Sequence, residues 1–361
     1  MTRSINFSAG PATLPLPALE TAREEFLDFE GTGMSILEHS HRGKAYARVH
    51  EETKALFQEL LQIPSNYRLL FMQGGASAQF ALVPMNLLAG KSADYVDTGT
   101  WAKKAYQEAQ IVGKARLAGT GKVGDKYTRV PKPSEIDLDP NAAYLHLCSN
   151  NTIMGTQYHE YPDTGDVPLV CDMSSDFMWR PIDVSKFGLI YAGAQKNIGP
   201  AGVTIVIIRE DLLERVPDTL PKIFRYTTVA EGDSLHNTIP VFPVYMVRNV
   251  LRWVKAEGGP EAMERRNREK AQLLYDLIDG SPDFFRTHVE KESRSVMNPV
   301  FRLPTEELEK LMVAEAEKER IFGIKGHRSV GGIRVSMYNA APIEWVKTFV
   351  DFAREFQRKH G

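Results

Sequence analysis

Lys196 stands between two apolar runs, LIYAGA before it and VTIVII after it, with Gly193 and Gly199 on either side. Lysine is seldom placed in such surroundings without a task. A desolvated amine near other cations gives up its proton more easily, becoming a nucleophile and then a base. A second charge, Asp172, ends the apolar run PLVC, and a carboxylate there needs a cationic partner. Other apolar runs end in groups of different chemistry. RLLFM leads into Gly74, Gly75, Ala76 and Ser77, small residues that can open a helix and present free N–H groups and the positive dipole end to a phosphate. ADYVDT leads to Gly99, Thr100 and Trp101, an aromatic plane on which a flat ring can stack. AAYLHL leads to CSNNTIMGTQ, whose Asn151 and Thr152 can hydrogen-bond a ligand. Each has a plainer explanation when taken alone: a serine-capped turn, a core tryptophan, a polar loop, a surface ion pair. The set has one common answer. A phosphate turn, a stacking plane, a carboxylate for a protonated ring nitrogen, a hydroxyl and a lysine for an aldehyde are what pyridoxal phosphate requires.

The elements that must position these groups follow from the runs themselves. Starting near Arg68, Ala93, Ala142, Pro168, Leu189 and Val203, they do not alternate, and several are rich in β-branched residues, as expected of strands buried on both faces. Helical stretches separate several of them, among them an amphipathic helix carrying Tyr46, Val49, Thr53, Leu56, Phe57, Leu60 and Leu61. This predicts an α/β architecture with a largely parallel sheet, in which ligands bind beyond the carboxyl ends of the strands. Pro11, Pro15 and Pro17 make residues 1–15 an extended arm. Gly258, Gly259 and Pro260 end one helix and start another. The expected division is therefore a large α/β domain over 16–258 and a smaller C-terminal α+β domain over 259–361.

Composition narrows the function classes. The 361 residues carry 44 basic and 46 acidic side chains, a formal charge of −2, which calls for neither nucleic acid nor an anionic membrane. Two cysteines, Cys148 and Cys171, offer no disulfide framework and no thiolate metal site. The N-terminus lacks the apolar core of a signal peptide and no apolar run is long enough to span a bilayer, so the expectation is a soluble cytoplasmic protein. The string GTGKVG, residues 119–124, matches a dinucleotide fingerprint, but Pro131 and Pro133 follow and no helix can open there, which sets a nicotinamide oxidoreductase aside. EHSH at 38–41 lacks a third ligand, so no metal is expected. His41 and Arg42, next to a helix that Ser40 would cap, and His327, Arg328 and Arg334 in a glycine-rich stretch, favour an anionic substrate. Arg334, between Ile333 and Val335, reads either as a solvent-facing strand arginine or as a bidentate grip on a carboxylate.

NFSAGPATLP near the N-terminus, HRG at 41–43, GGAS at 74–77, AQKNIGPAG at 194–202 and GHRSVGGIRVSMYNA at 326–340 resemble the phosphoserine aminotransferases, and the similarity runs over essentially the whole chain. The resemblance implies a fold-type-I pyridoxal 5′-phosphate transferase, a homodimer with active sites at the subunit interface. It would move an amino group from glutamate to 3-phosphohydroxypyruvate, giving 2-oxoglutarate and phosphoserine, in serine synthesis; 4-phosphohydroxythreonine of pyridoxine synthesis stays open as a second substrate. By matched position Lys196 is the Schiff-base lysine and Asp172 the partner of the ring nitrogen. Trp101 stacks on the ring, Thr152 and Gln195 hold its substituents, and Ala76 and Ser77 form the phosphate turn. Asn237 and Thr238 would reach the cofactor phosphate of the partner subunit. Arg334 matches the α-carboxylate arginine, and His41, Arg42 and His327 the receptor of the substrate phosphate. Several members of the family carry arginine where this chain has Ser77. A pyridoxal phosphate lyase or desulfurase is the alternative on the same fold.

Overall fold

All six apolar runs form strands in the computed structural model, which describes residues 3–361. They are β1 (Tyr67–Met72), β2 (Ser92–Asp97), β4 (Leu145–Cys148), β5 (Leu169–Asp172), β6 (Leu189–Gly193) and β7 (Thr204–Arg209). A seventh, β3 (Lys114–Thr120), joins the sheet at one edge. The sheet order is β1-β7-β6-β5-β4-β2-β3. Only β7 runs against its neighbours; the others are parallel. Every residue of β4, β5 and β6 is buried, which is why these strands read as unbroken apolar runs. The edge strand β3 has a single buried residue, Ala118, and carries charged residues, so it has no such signature.

Two layers of helices cover the sheet. On one face Cys171, Ile190 and Ile205 pack with Ala18 and Ala22 of α1 (Leu16–Glu24), Val49 and Phe57 of α2 (Lys44–Leu61), and Val247 and Leu251 of α5 (Val241–Ala256). On the other, Val170, Tyr191 and Val206 pack with Phe80 and Leu87 of α3 (Gly75–Leu87) and Ala105 and Ala109 of α4 (Thr100–Val112). Adjacent strand residues thus serve opposite cores, as the two-residue period of a strand dictates.

A third core gathers α6 (Gly259–Gly280), α7 (Glu306–Lys318) and α8 (Ile343–His360) through Leu274, Met312, Val346 and Phe349. Phe7 belongs to it. The extended N-terminal segment is not free: Ile5–Asn6 pairs in parallel with Ile321–Phe322, and Ala12 N–H then donates to Gln195 O at 3.0 Å. Residues 5–12 therefore cross from the C-terminal core to the turn holding Lys196. Ile333–Arg334 pairs with Val300–Phe301, so Arg334 does lie on a strand. After β3, GTGKVG runs into a hairpin, Lys122–Val123 against Lys126–Tyr127, and no helix opens behind it. Among the described residues no helix is long and apolar enough to cross a membrane.

Candidate active site

Strand register brings the predicted groups to one edge. Asp172 lies opposite both Cys148 and Tyr191, and Gly193 lies opposite Thr204, which in turn faces Met72. The turns after β1, β4, β5 and β6 consequently open on the same side. Lys196 sits in the turn after β6, half-buried, with Nζ 5.3 Å from the centre of the Trp101 ring. Trp101 occupies the first turn of α4 rather than a loop tip, and its Nε1 donates to Thr152 Oγ1 at 3.0 Å. Arg334 Nη1 donates to Thr152 O at 3.2 Å. Thr152 thereby joins the aromatic plane to the arginine, in a tight turn beside the short hairpin Asn150–Asn151/Thr156–Gln157. Gln195 is folded over Gly193, where an added Cβ would stand 2.7 Å from its Oε1.

Asp172 is 5 % exposed and takes two hydrogen bonds on Oδ1, from Ser174 N at 2.9 Å and Ser174 Oγ at 2.6 Å. Among the described residues Oδ2 accepts none, and Asp172 forms no direct ion pair with Lys196. Burial raises the Asp172 pKa, with the Lys196 charge and the Ser174 bonds opposing. Burial lowers the Lys196 pKa, Asp172 opposes it, and Arg334 adds to it. Both shifts agree that loss of solvent outweighs the mutual attraction, as expected of charges held apart rather than in contact.

The arginine is short of partners. Its Nε is buried without a hydrogen bond, and burial depresses its pKa. His327 lies close enough to Arg334, Arg328 and Lys104 to feel their charge, and burial with these cations holds its pKa below the ordinary histidine value. Its Nδ1 is paired with Ser329 Oγ at 2.7 Å.

The remaining predicted residues form a second group. Arg42 is exposed and donates through Nη2 to Leu235 O at 3.2 Å; Asn237 and Thr238 follow two residues later, also exposed. Thr238 O accepts from Gln73 Nε2 at 2.8 Å, so this loop lies against the Gly74–Ser77 turn. His41 Nε2 is buried and unpartnered. The expected Ser40 cap is not made: Gly43 is the N-cap of α2, and Ser40 Oγ accepts Arg42 N instead, closing the turn before the helix. Helix α3 starts two residues before Ser77, at Gly75, with Gly74 as N-cap at φ 89° and no side-chain cap. A Cβ at Gly74 would lie 2.5 Å from the Ala78 Cβ, so only glycine fits. The first-turn N–H groups of Gly75, Ala76 and Ser77 have no helical acceptor and suit an anion.

Three contributors escaped sequence reasoning. Ser174 supports Asp172, Asn197 follows Lys196, and the Ala9–Ala12 arm packs on the lysine turn, where a Cβ on Gly10 would be 3.2 Å from Lys196 Cγ. For Ser174 and Asn197 the available signal was adjacency in sequence to Asp172 and Lys196; residues 9–12 reach the turn only through the fold. A possible cation cluster, His50, Glu51 and Asp233, lies elsewhere, but Lys54 Nζ already sits 2.9 Å from Asp233.

The sequence profile described as aminotransferase class-V matches residues 4–349. The chain is 55 % identical over 358 residues to the phosphoserine aminotransferase of Desulfatibacillum aliphaticivorans, covering 99 % of this chain and 98 % of that one. A solved phosphoserine aminotransferase from Bacillus circulans subsp. alkalophilus is similar at TM-score 0.97 and 52 % identity, with 99 % of each chain covered. A PLP-bound phosphoserine aminotransferase from Trichomonas vaginalis is similar at TM-score 0.93 and 38 % identity, covering 98 % of this chain and 100 % of that one.

Proposed function

The chain belongs to the class-V aminotransferase family, and from that premise we propose that it reversibly transfers the amino group of L-glutamate to 3-phosphohydroxypyruvate, giving O-phospho-L-serine and 2-oxoglutarate in serine synthesis. The observation that carries this reading is full-length identity above one half with a phosphoserine aminotransferase, in a chain whose Lys196, Asp172, Trp101 and Arg334 converge on one edge of the sheet.

The cofactor is pyridoxal 5′-phosphate, and the residues fit it. Asp172 Oδ2 is open to a protonated ring nitrogen, Trp101 offers a plane beside Lys196, and α3 offers unpaired N–H groups. When bound, this cofactor supplies an aldehyde that condenses with amines and a ring that accepts the electron pair released at the substrate α-carbon. Asp172 would hold the ring nitrogen, Ala76 and Ser77 the phosphate, and Thr152 and Gln195 the ring substituents. Thr152 Oγ1 already accepts from Trp101, which leaves its own proton to donate.

Lys196 is the proposed proton carrier. Burial and Arg334 favour its neutral amine, which removes the α-proton of the amino donor and, in the reverse sense, returns one to the α-carbon of the acceptor. Arg334 would hold the α-carboxylate with the donors it does not spend on Thr152. His327, with His41 and Arg42, would receive the substrate phosphate. The second group makes sense if the enzyme is a homodimer in which Asn237 and Thr238 reach the partner's cofactor. Exposed Leu27, Met34, Leu37, Ile223 and Phe224 support that arrangement: they precede His41 or line the groove beside Asn237. A cysteine desulfurase is disfavoured because both thiols are buried and burial pushes each pKa up.

The test is a half-reaction survey on the loaded enzyme, following cofactor absorbance as glutamate, phosphoserine or serine is added. Glutamate and phosphoserine should each convert it at much lower concentration than serine. An equal response to serine and phosphoserine would remove the phosphate-site assignment.

A further inference from the structure

Asn197, immediately after Lys196, is 7 % exposed and uses both ends of its side-chain amide. Oδ1 accepts the backbone N–H of Asn339 at 2.8 Å, and Nδ2 donates to Phe177 O at 2.7 Å. Phe177 belongs to the turn that leaves Asp172, closed by its own N–H to Met173 O at 2.8 Å. Asn339 lies in the segment that follows Arg334, and its side chain is held at both ends too: Nδ2 donates to Met178 O at 2.9 Å and Oδ1 accepts from Asn267 Nδ2 at 2.7 Å. Beneath this segment the buried Lys270 ammonium donates to the carbonyls of Met337, Tyr338 and Ala341 at 2.9, 2.8 and 3.0 Å. The same segment steadies the N-terminal arm, through Tyr338 OH to Ala9 O at 2.7 Å.

One side chain therefore ties together the three stretches that carry Lys196, Asp172 and Arg334. Among the described residues these three side chains share no hydrogen bond with one another, so the surrounding framework sets their spacing. We propose that Asn197 is a positioning residue that fixes Lys196 relative to both Asp172 and Arg334. The inference rests on the reading of Lys196 as the proton-carrying amine. Proton transfer is sensitive to such placement, since an error of about 1 Å can cost roughly 100-fold in rate.

Asn197→Ala should lower kcat roughly 10- to 100-fold while KM for glutamate stays within about three-fold. Because proton removal then limits turnover, the isotope effect with α-deuterated glutamate should rise. In cofactor-free protein, labelling of Lys196 by acetic anhydride, read by peptide mass spectrometry, should reach its half-maximum at higher pH, because an amine released from its half-buried place regains solvent. Asn339→Ala keeps the backbone donor to Asn197 but frees the segment from Met178 and Asn267, and should give the same changes at smaller size. If Asn197 only supports folding, both variants lower the melting temperature and the active fraction but keep the wild-type isotope effect and labelling midpoint; that result overturns the proposal. Should Asn197→Ala not fold, Asn339→Ala decides by the same two readouts. Borohydride fixation of the cofactor to a residue other than Lys196 in the unaltered protein would overturn the underlying reading, and the proposal with it.

Discussion

Replacing Arg334 tests the substrate grip most directly, because the structure gives both the expected size and the expected asymmetry of the effect. The guanidinium makes one hydrogen bond, to Thr152 O, has a buried Nε without a partner, and forms no ion pair among the described residues. It is thus a cation already stripped of much of its water, with donors to spare. A substrate carboxylate meeting it forms charge-assisted hydrogen bonds worth about 1.5–3 kcal/mol each. Losing a bidentate pair should cost about 3–5 kcal/mol, or roughly 150- to 5,000-fold in kcat/KM. Arg334→Lys keeps the charge but replaces the planar fork with a point contact, and should lose about one bond's worth, roughly 10- to 150-fold. Glutamate and phosphoserine both present an α-carboxylate, so both directions should fall by similar factors. Stability should behave differently: in cofactor-free protein Arg334→Met removes a half-buried charge without an ionic partner and should melt at the same temperature or higher. Steady-state kinetics in both directions and thermal melts of the cofactor-free proteins supply the measurements. A loss under about three-fold in Arg334→Met, or a loss confined to one substrate, would refute the carboxylate role.

Lys196→Ala should lose borohydride fixation of the cofactor and at least about 1,000-fold in kcat, the range of a general base; retention of normal turnover removes it from the chemistry. Ser77→Arg adds a cation at an exposed position in the first turn of α3 and should tighten cofactor binding several-fold at low salt, measured by equilibrium dialysis of the cofactor. Asp176 is buried under Asp172, with Ser149 and Gln157 as its donors, and burial pushes its pKa up to about 6 from 3.8. A carboxylate raised on folding contributes stability fully present below about pH 4 and lost as pH rises through about 6, here about 3 kcal/mol. Asp176→Asn should flatten urea-unfolding stability across that window, and an unchanged pH slope would count against the assignment.

Much of this site was legible because burial and period are local properties. Strands covered on both faces must be apolar throughout, so β4, β5 and β6 announced themselves, and Asp172 and Lys196 stood out at their ends. The amphipathic stripe of α2 and the glycines at 74 and 75 followed the same logic. Strand β3 was not legible: of its residues only Ala118 is buried, so it needs no apolar run. Nor did any pattern reveal that Ile5–Asn6 pairs with Ile321–Phe322, since backbone pairing across the chain's length leaves no mark on either segment. The residue types alone thus determined which chemistry was available: an amine, a carboxylate, a ring plane and a set of cations. Tertiary structure decided their distribution. It gathered Lys196, Asp172, Trp101, Thr152 and Arg334 on one edge, and it laid the loop of Asn237 and Thr238, which Arg42 holds through Leu235, against the Gly74–Ser77 turn. It also gave Asn197 its two partners, Asn339 and Phe177, because a buried amide is satisfied by whatever the fold brings to it.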